Sequence, residues 1–232
     1  PVPDGSFSVD VWFTLEAPLD ASGNPLPPKD RGLIAAFLPE SPGVDCMAGW
    51  RLTYVAAAST DDLGTEMMDT SFTFEMVQLD VATLNVSTDN ATNGTNFTDD
   101  STLPEPVVKS RTITHSQSLT SGHWYHLVAV SDNHVVKLYL NGVLQMSNGS
   151  IPCPTCQGPV YSRNKTFEDA DGNLAHCGTL KAPVTIGTFC SQGRSAQEVC
   201  QMDSKQWSQH SGAIFAARIW NRTVSGEEAI AL

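Results

Sequence analysis

The 232-residue sequence predicts an all-β chain: a two-sheet antiparallel jelly-roll sandwich with long loops and a short C-terminal helix. Three observations carry that expectation. Short runs with period-two apolar alternation recur along the chain, separated by turn-rich spacers. Two strand-like runs between Ser121 and Val143 flank a polar tip at Ser131–His134, and Asn141-Gly142 supplies a second tight turn. One stretch alone, at the C-terminus, reads as a helix.

Taken in order, Phe7, Val9, Val11, Phe13 and Leu15 alternate with Ser8, Asp10, Trp12 and Thr14, the pattern of a strand with one buried face. Residues 18–30 carry four prolines and read as an irregular loop. Strands follow at Gly32–Leu38, Trp50–Ala57 and Phe72–Leu79, the last alternating through Phe72, Phe74, Met76 or Val77, and Leu79. Residues 85–106 are rich in Asn, Thr, Asp and Ser with little to bury, so a long insertion is expected there. Strands resume at Ser110–His115 and run through the hairpin; the region 147–180 is irregular and bears cysteines. Val184–Phe189 is a strand, Ser191–Gln209 a polar loop and Ala213–Trp220 the last strand. Ser225 then offers an N-cap with Glu227 and Glu228 in the first helical turn. Without an internal repeat or hinge, residues 1–232 read as one domain.

Formal charge is −12, from 25 acidic and 13 basic residues. Arg51 and Lys109 bracket an interval with no basic side chain and ten acids. Such a surface repels a phosphate backbone, which excludes nucleic acid as a partner class, and it gives no hold on an anionic membrane. No run approaches the roughly 20 apolar residues of a membrane span, so direct membrane insertion is not expected.

Seven Asn-x-Ser/Thr sequons occur, at Asn85, Asn90, Asn93, Asn96, Asn148, Asn164 and Asn221. Four of them fall within twelve residues of a polar segment, the composition of a glycosylated extracellular insertion. The six cysteines, Cys46, Cys153, Cys156, Cys177, Cys190 and Cys200, suit three disulfides in an oxidising compartment. Cys153-Pro-Thr-Cys156 lies in a loop between prolines, not at a helix start, which disfavours a redox pair or zinc site. Fifteen pairings are open. A local Cys190–Cys200 loop, with Cys46 tied to the 153–177 region, is the expected arrangement. The chain begins at Pro1 and reads as a piece of a longer extracellular protein.

Four marks stand in order. They are Phe7-Ser-Val-Asp-Val-Trp-Phe; Trp124-Tyr-His-Leu-Val-Ala-Val followed by Leu138-Tyr-Leu-Asn-Gly; Pro183-Val-Thr-Ile-Gly; and the closing stretch from Gly212 to Glu228. Together they resemble the laminin-G-like and pentraxin-like branch of the concanavalin A-like lectin/glucanase superfamily. The resemblance implies a binding module, and it implies that calcium at the rim of the sandwich is an option. In this chain the densest set of hard oxygen donors is Glu168, Asp169, Asp171 and Asn173, with Gly172 allowing a bend. Trp124 is expected to fill the space between sheets about 10 Å apart, and His126 to be a partly buried hydrogen-bonding histidine.

Polysaccharide-cleaving relatives carry carboxylates alternating along one strand, as paired-carboxylate hydrolysis requires. Here Glu75 and Asp10 each stand alone in their strands, and no nucleophile elbow or zinc helix occurs. An enzyme is therefore not expected. Sugar sites combine an aromatic platform with polar side chains. Trp12, out of phase with the apolar face of its strand, and Trp207, in a polar loop, are the expected ligand-binding aromatics. The function expected first is an extracellular, non-catalytic module for adhesion or assembly through protein contacts, within a larger surface or matrix protein. The alternative is a calcium-assisted carbohydrate-binding, lectin-like module.

Overall fold

The computed structural model describes residues 5–17, 20–24, 26–38, 48–80, 107–132, 135–148, 156–159, 166–168, 174–176, 184–190 and 207–232. Two antiparallel sheets form a jelly-roll-like sandwich. The first contains β1 (Phe7–Thr14), β6 (Trp124–Ser131), β7 (Val136–Leu140), β8 (Val143–Asn148) and β15 (Ile214–Trp220). Its order is β15-β1-β6-β7-β8. The second contains β2 (Arg31–Leu38), β3 (Ala48–Thr60), β4 (Glu66–Asp80), β5 (Val107–Thr120) and β12 (Val184–Ile186). Its order is β12-β2-β3-β4-β5, with β9 (Cys156–Pro159) also paired to β4. Two small ribbons form sheets of their own: β10 (Thr166–Glu168) with β11 (Leu174–His176), and β13 (Thr188–Cys190) with β14 (Trp207–Gln209). Helix α1 (Gly226–Ala231) closes the chain.

The core is the meeting of the two inner faces. From β1 come Phe7, Val9, Val11 and Phe13; from β3 and β4 come Trp50, Leu52, Tyr54, Phe72, Phe74 and Met76. Phe7 packs against Trp50 with ring centroids 5.5 Å apart, and Phe13 meets Phe72 edge-on at 5.8 Å. The tryptophan between the sheets is thus Trp50, fully buried, whereas Trp124 is 49% exposed. Register explains this correction. Thr14 pairs with Trp124 and Phe13 with Tyr125, so Tyr125, Leu127 and Ala129 point inward and Trp124 faces outward.

β1 departs from expectation too, since Ser8 and Asp10 on its second face are fully buried. The outer face of the first sheet carries a separate cluster of Val128, Val130, Tyr139, Val224 and Ala229, roofed by α1. Ser225 caps that helix: its Oγ accepts from Glu228 N–H at 3.1 Å, and Glu228 Oε2 accepts from Ser225 N–H at 2.9 Å. Buried Ser8 ties the roof down, donating to Arg222 O at 3.0 Å and accepting from Val224 N–H at 2.9 Å.

The long strands exceed their expected bounds because β3 and β4 form one hairpin around Asp61. Its Oδ1 accepts from Leu63 N–H at 2.9 Å and Thr65 N–H at 2.7 Å. In β4 Met76 points inward, and Val77 packs outside with Ala35 and Phe37. The single strand expected over 184–189 is split at Gly187, which allows β12 to serve β2 while β13 turns to β14. Asn141 (φ 49°) and Gly142 (φ 75°) make the tight β7–β8 turn as expected. Among the described residues, no helix is long and apolar enough to cross a membrane.

Candidate functional site

Period-two alternation places Trp12 and Thr14 on the outer face of β1, Trp124 and His126 beside them on β6, and Ala216, Arg218 and Trp220 opposite on β15. A register shift between Trp12 and Phe13 interrupts the β1–β15 pairing, and Phe215 emerges there, 79% exposed. Phe215 meets Trp124 edge-on with centroids 6.1 Å apart. Half-buried Trp12 lies flat on His126, with centroids at 4.7 Å and planes within 10°.

Beneath this aromatic face sits Asp10. Its carboxylate accepts from Arg218 Nε at 2.9 and 3.1 Å and from Trp220 Nε1 at 2.6 Å. Arg218 Nη2 approaches to 2.8 Å, and His126 Nε2 lies 3.3 Å away. Burial alone raises the Asp10 carboxyl; the bonds from His126, Arg218 and Trp220, with the Arg218 charge, outweigh it and hold the group below its ordinary value. Asp10 is therefore an ionised, fully partnered anchor, and the chain Asp10–His126–Trp12 fixes a ring that would otherwise pivot. His126 N–H also donates to Asn141 Oδ1 at 2.9 Å, which brings an exposed amide to the same region.

A second surface feature lies on the outer face of the other sheet, a depression of about 390 Å³ lined by Val55, Ala57, Asp69, Ser71, Ser116 and Ser118, among others. The register pairs Asp69 with Ser118, Ser71 with Ser116 and Thr73 with Thr114. Ser118 donates to Asp69, Ser116 to Ser71 at 3.0 Å, and the two threonine hydroxyls lie 3.3 Å apart. These polar groups satisfy one another, and no aromatic ring lines the floor. The aromatic face is the stronger site.

Of the aromatics expected from sequence, Trp12 lies on that face, half-buried and not freely exposed. Trp207 belongs to β14 instead of a loop, and its side chain lies outside the described residues. Glu168 falls in β10; its side chain, with Asp169, Asp171 and Asn173, lies outside them also. Among the described residues, no group of three or more His, Cys, Asp or Glu side chains is placed to hold a metal ion. Cys156 and Cys190 lie in β9 and β13, while Cys46, Cys153, Cys177 and Cys200 fall outside the described residues, as does the expected pairing. Asn221 is exposed after β15, and Asn148 ends β8; Asn85, Asn90, Asn93, Asn96 and Asn164 lie outside. His126 is buried and hydrogen-bonded. Sequence reasoning missed Trp124 and Phe215 as surface rings and Asp10 as the anchor of the His126–Trp12 stack. The alternation of Asp10 with Val9 and Val11, matched by Arg218 and Trp220 on a later strand, was the available signal.

A family profile described as the concanavalin A-like lectin/glucanases superfamily matches residues 54–177, more than half of the chain. The chain belongs to this superfamily, as a laminin-G-like module. Among solved structures it is similar to the Ruminococcus gnavus IT-sialidase CBM40 bound to alpha2,3 sialyllactose, at 11% identity and TM-score 0.47, over 99% of this chain and 83% of that one. It is also similar to the native heptameric SAP-like pentraxin from Limulus polyphemus, at 9% identity and TM-score 0.38, over 99% and 70%. A third is Domain 4 of AbnA, a GH43 extracellular arabinanase from Geobacillus stearothermophilus, in complex with arabinotriose (14% identity, TM-score 0.39, over 99% and 67%). No curated protein sequence matches the chain.

Proposed function

We propose that the chain is an extracellular, non-catalytic carbohydrate-binding module of a larger surface or matrix protein, and that glycans dock on the outer face of the first sheet. The observation that carries this reading is the exposed Trp124–Phe215 ring pair beside the anchored Trp12. Aromatic faces stack on the C–H surfaces of sugar rings, and exposed Asn141 and His123 supply hydrogen bonding at the rim. The Asp10 network contributes preorganisation, since Trp12 need not be ordered on binding. Calcium enters the proposal only at Glu168, Asp169, Asp171 and Asn173, where the oxygen donors support it.

The test is a broad glycan array read with the glycosylated protein, once with millimolar calcium and once with chelator. Expected is binding of one sugar class that falls at least tenfold in Trp124→Ala and Phe215→Ala, each variant retaining its unfolding transition. Loss in chelator assigns calcium to the site. Silence of the folded protein in both conditions overturns the reading. Adhesion through protein contacts is the second reading, favoured by edge strand β8, where Val143, Leu144 and Met146 are 61%, 48% and 41% exposed. It predicts instead that charged substitutions along β8 abolish association while those at Trp124 do not.

A further inference from the structure

The rings of the aromatic face share their side of the sheet with an arginine whose charge is already cancelled. Alternation along β1 puts Trp12 and Asp10 on one side, and the register sets them across from Ala216 and Arg218. On the other flank Trp12 pairs with His126, and Thr14 with Trp124. Side chains on this face therefore form rows about 7 Å apart along the strands. Trp124, with Phe215 against it, stands in one row, Trp12 in the next and Arg218 in the third.

Arg218 is held as half of an ion pair. Its Nε donates to both Asp10 oxygens, at 2.9 and 3.1 Å, and its Nη2 lies 2.8 Å from Oδ1. The arginine side chain is 38% exposed and the carboxylate fully buried, so the cation fronts the solvent and the anion backs it. Trp220 Nε1 donates to the same carboxylate at 2.6 Å, which favours its charged form.

A guanidinium on a sugar-facing surface ordinarily receives a carboxylate, because its planar fork binds both oxygens. Here the edge of the fork formed by Nε and Nη2 is occupied by Asp10, and the pair carries no net charge. Arg222, the next cation along the chain, bonds Glu228 Oε2 at 2.9 Å. The chain as a whole carries −12, which adds no attraction for an anion. What the face offers instead is ring surface for C–H groups and the amide of Asn141 at the rim for hydroxyls. Resting on the sugar-binding reading above, we propose that Asp10 sets the ligand class: by cancelling Arg218 it restricts the face to neutral hexose and N-acetylhexosamine chains and excludes uronic and sialic acids.

The test is a glycan array of matched pairs that share a core and differ by one uronic or sialic acid, read at low salt. The readout is the acidic-to-neutral binding ratio, which a loss of stability alone does not move. In the natural protein the neutral members should bind at least about tenfold better. Asp10→Asn uncovers the Arg218 charge and should raise the ratio about fivefold or more. Adding Arg218→Met to Asp10→Asn should bring the ratio back. Acidic preference in the natural protein, or an unchanged ratio in Asp10→Asn, overturns the proposal and leaves the sugar-binding reading standing. Silence of the folded natural protein towards neutral and acidic members alike overturns both. Should Asp10→Asn fail to fold, the natural protein read from low salt to about 0.5 M decides. A ratio that does not fall as salt rises supports the cancelled charge, and one that falls overturns it.

Discussion

Asp10 shows how much one side chain can organise in a sheet that looked half-apolar. Its carboxylate is fully buried, yet Arg218, Trp220 and His126 surround it. Removing it strands three donors, so Asp10→Ala should cost about 2–4 kcal/mol in denaturant unfolding. Sugar binding should weaken with it, because Trp12 loses the partner of its partner. His210 sets a pH dependence of the opposite chemical kind. Its folded value, about 4, lies below the ordinary 6.5, so below pH 6.5 the unfolded chain takes up the proton first. Stability should therefore fall as pH drops from 6.5 towards 4, and His210→Asn, which keeps an acceptor near Tyr54, should flatten that slope. The Asp10 contribution is present above its ordinary value and lost only below it, in a more acidic window.

At the scale of elements, α1 depends on few contacts and should respond to single changes. Ser225→Ala removes half of the capping box and should cost about 1 kcal/mol by thermal or denaturant unfolding. Gly142→Ala should cost more, since φ is 75° and the added Cβ would sit 2.7 Å from Ile230 Cγ1. Element order and type were legible in the sequence wherever one face alone is apolar, as in Phe72–Met76. Where both faces are covered, the strand was legible but not which of its residues face inward. In β6, Leu127–Val130 is apolar throughout, so its phase is silent, and Trp124 reads as core although register turns it outward. The site was half-legible for the same reason. Trp12 stood out by phase, but Phe215 reached the surface through a register irregularity that no period announces, and Asp10 met Arg218 and Trp220 about 210 residues away.

For the molecule as a whole, the two outer faces differ in kind. One bears aromatic rings over a charge network, the other a ladder of mutually bonded hydroxyls and a carboxylate. The exposed sequon at Asn221 lies six residues along the chain from Phe215, roughly 20 Å at about 3.3 Å per strand residue. A glycan there would cover the end of the sheet opposite the rings. Asn221→Gln should leave glycan-array binding unchanged, whereas Phe215→Asn should abolish it. The adjacency of β1 and β15 also has a consequence in time. The first strand cannot acquire its neighbour on that side until almost the whole chain has left the ribosome, and such non-local pairing is slow to form. Until then the hydrogen-bonding edge of β1 stays open and Asp10 waits without Arg218 or Trp220. The module therefore spends its synthesis as an incomplete sheet, with that edge open to pairing with another strand.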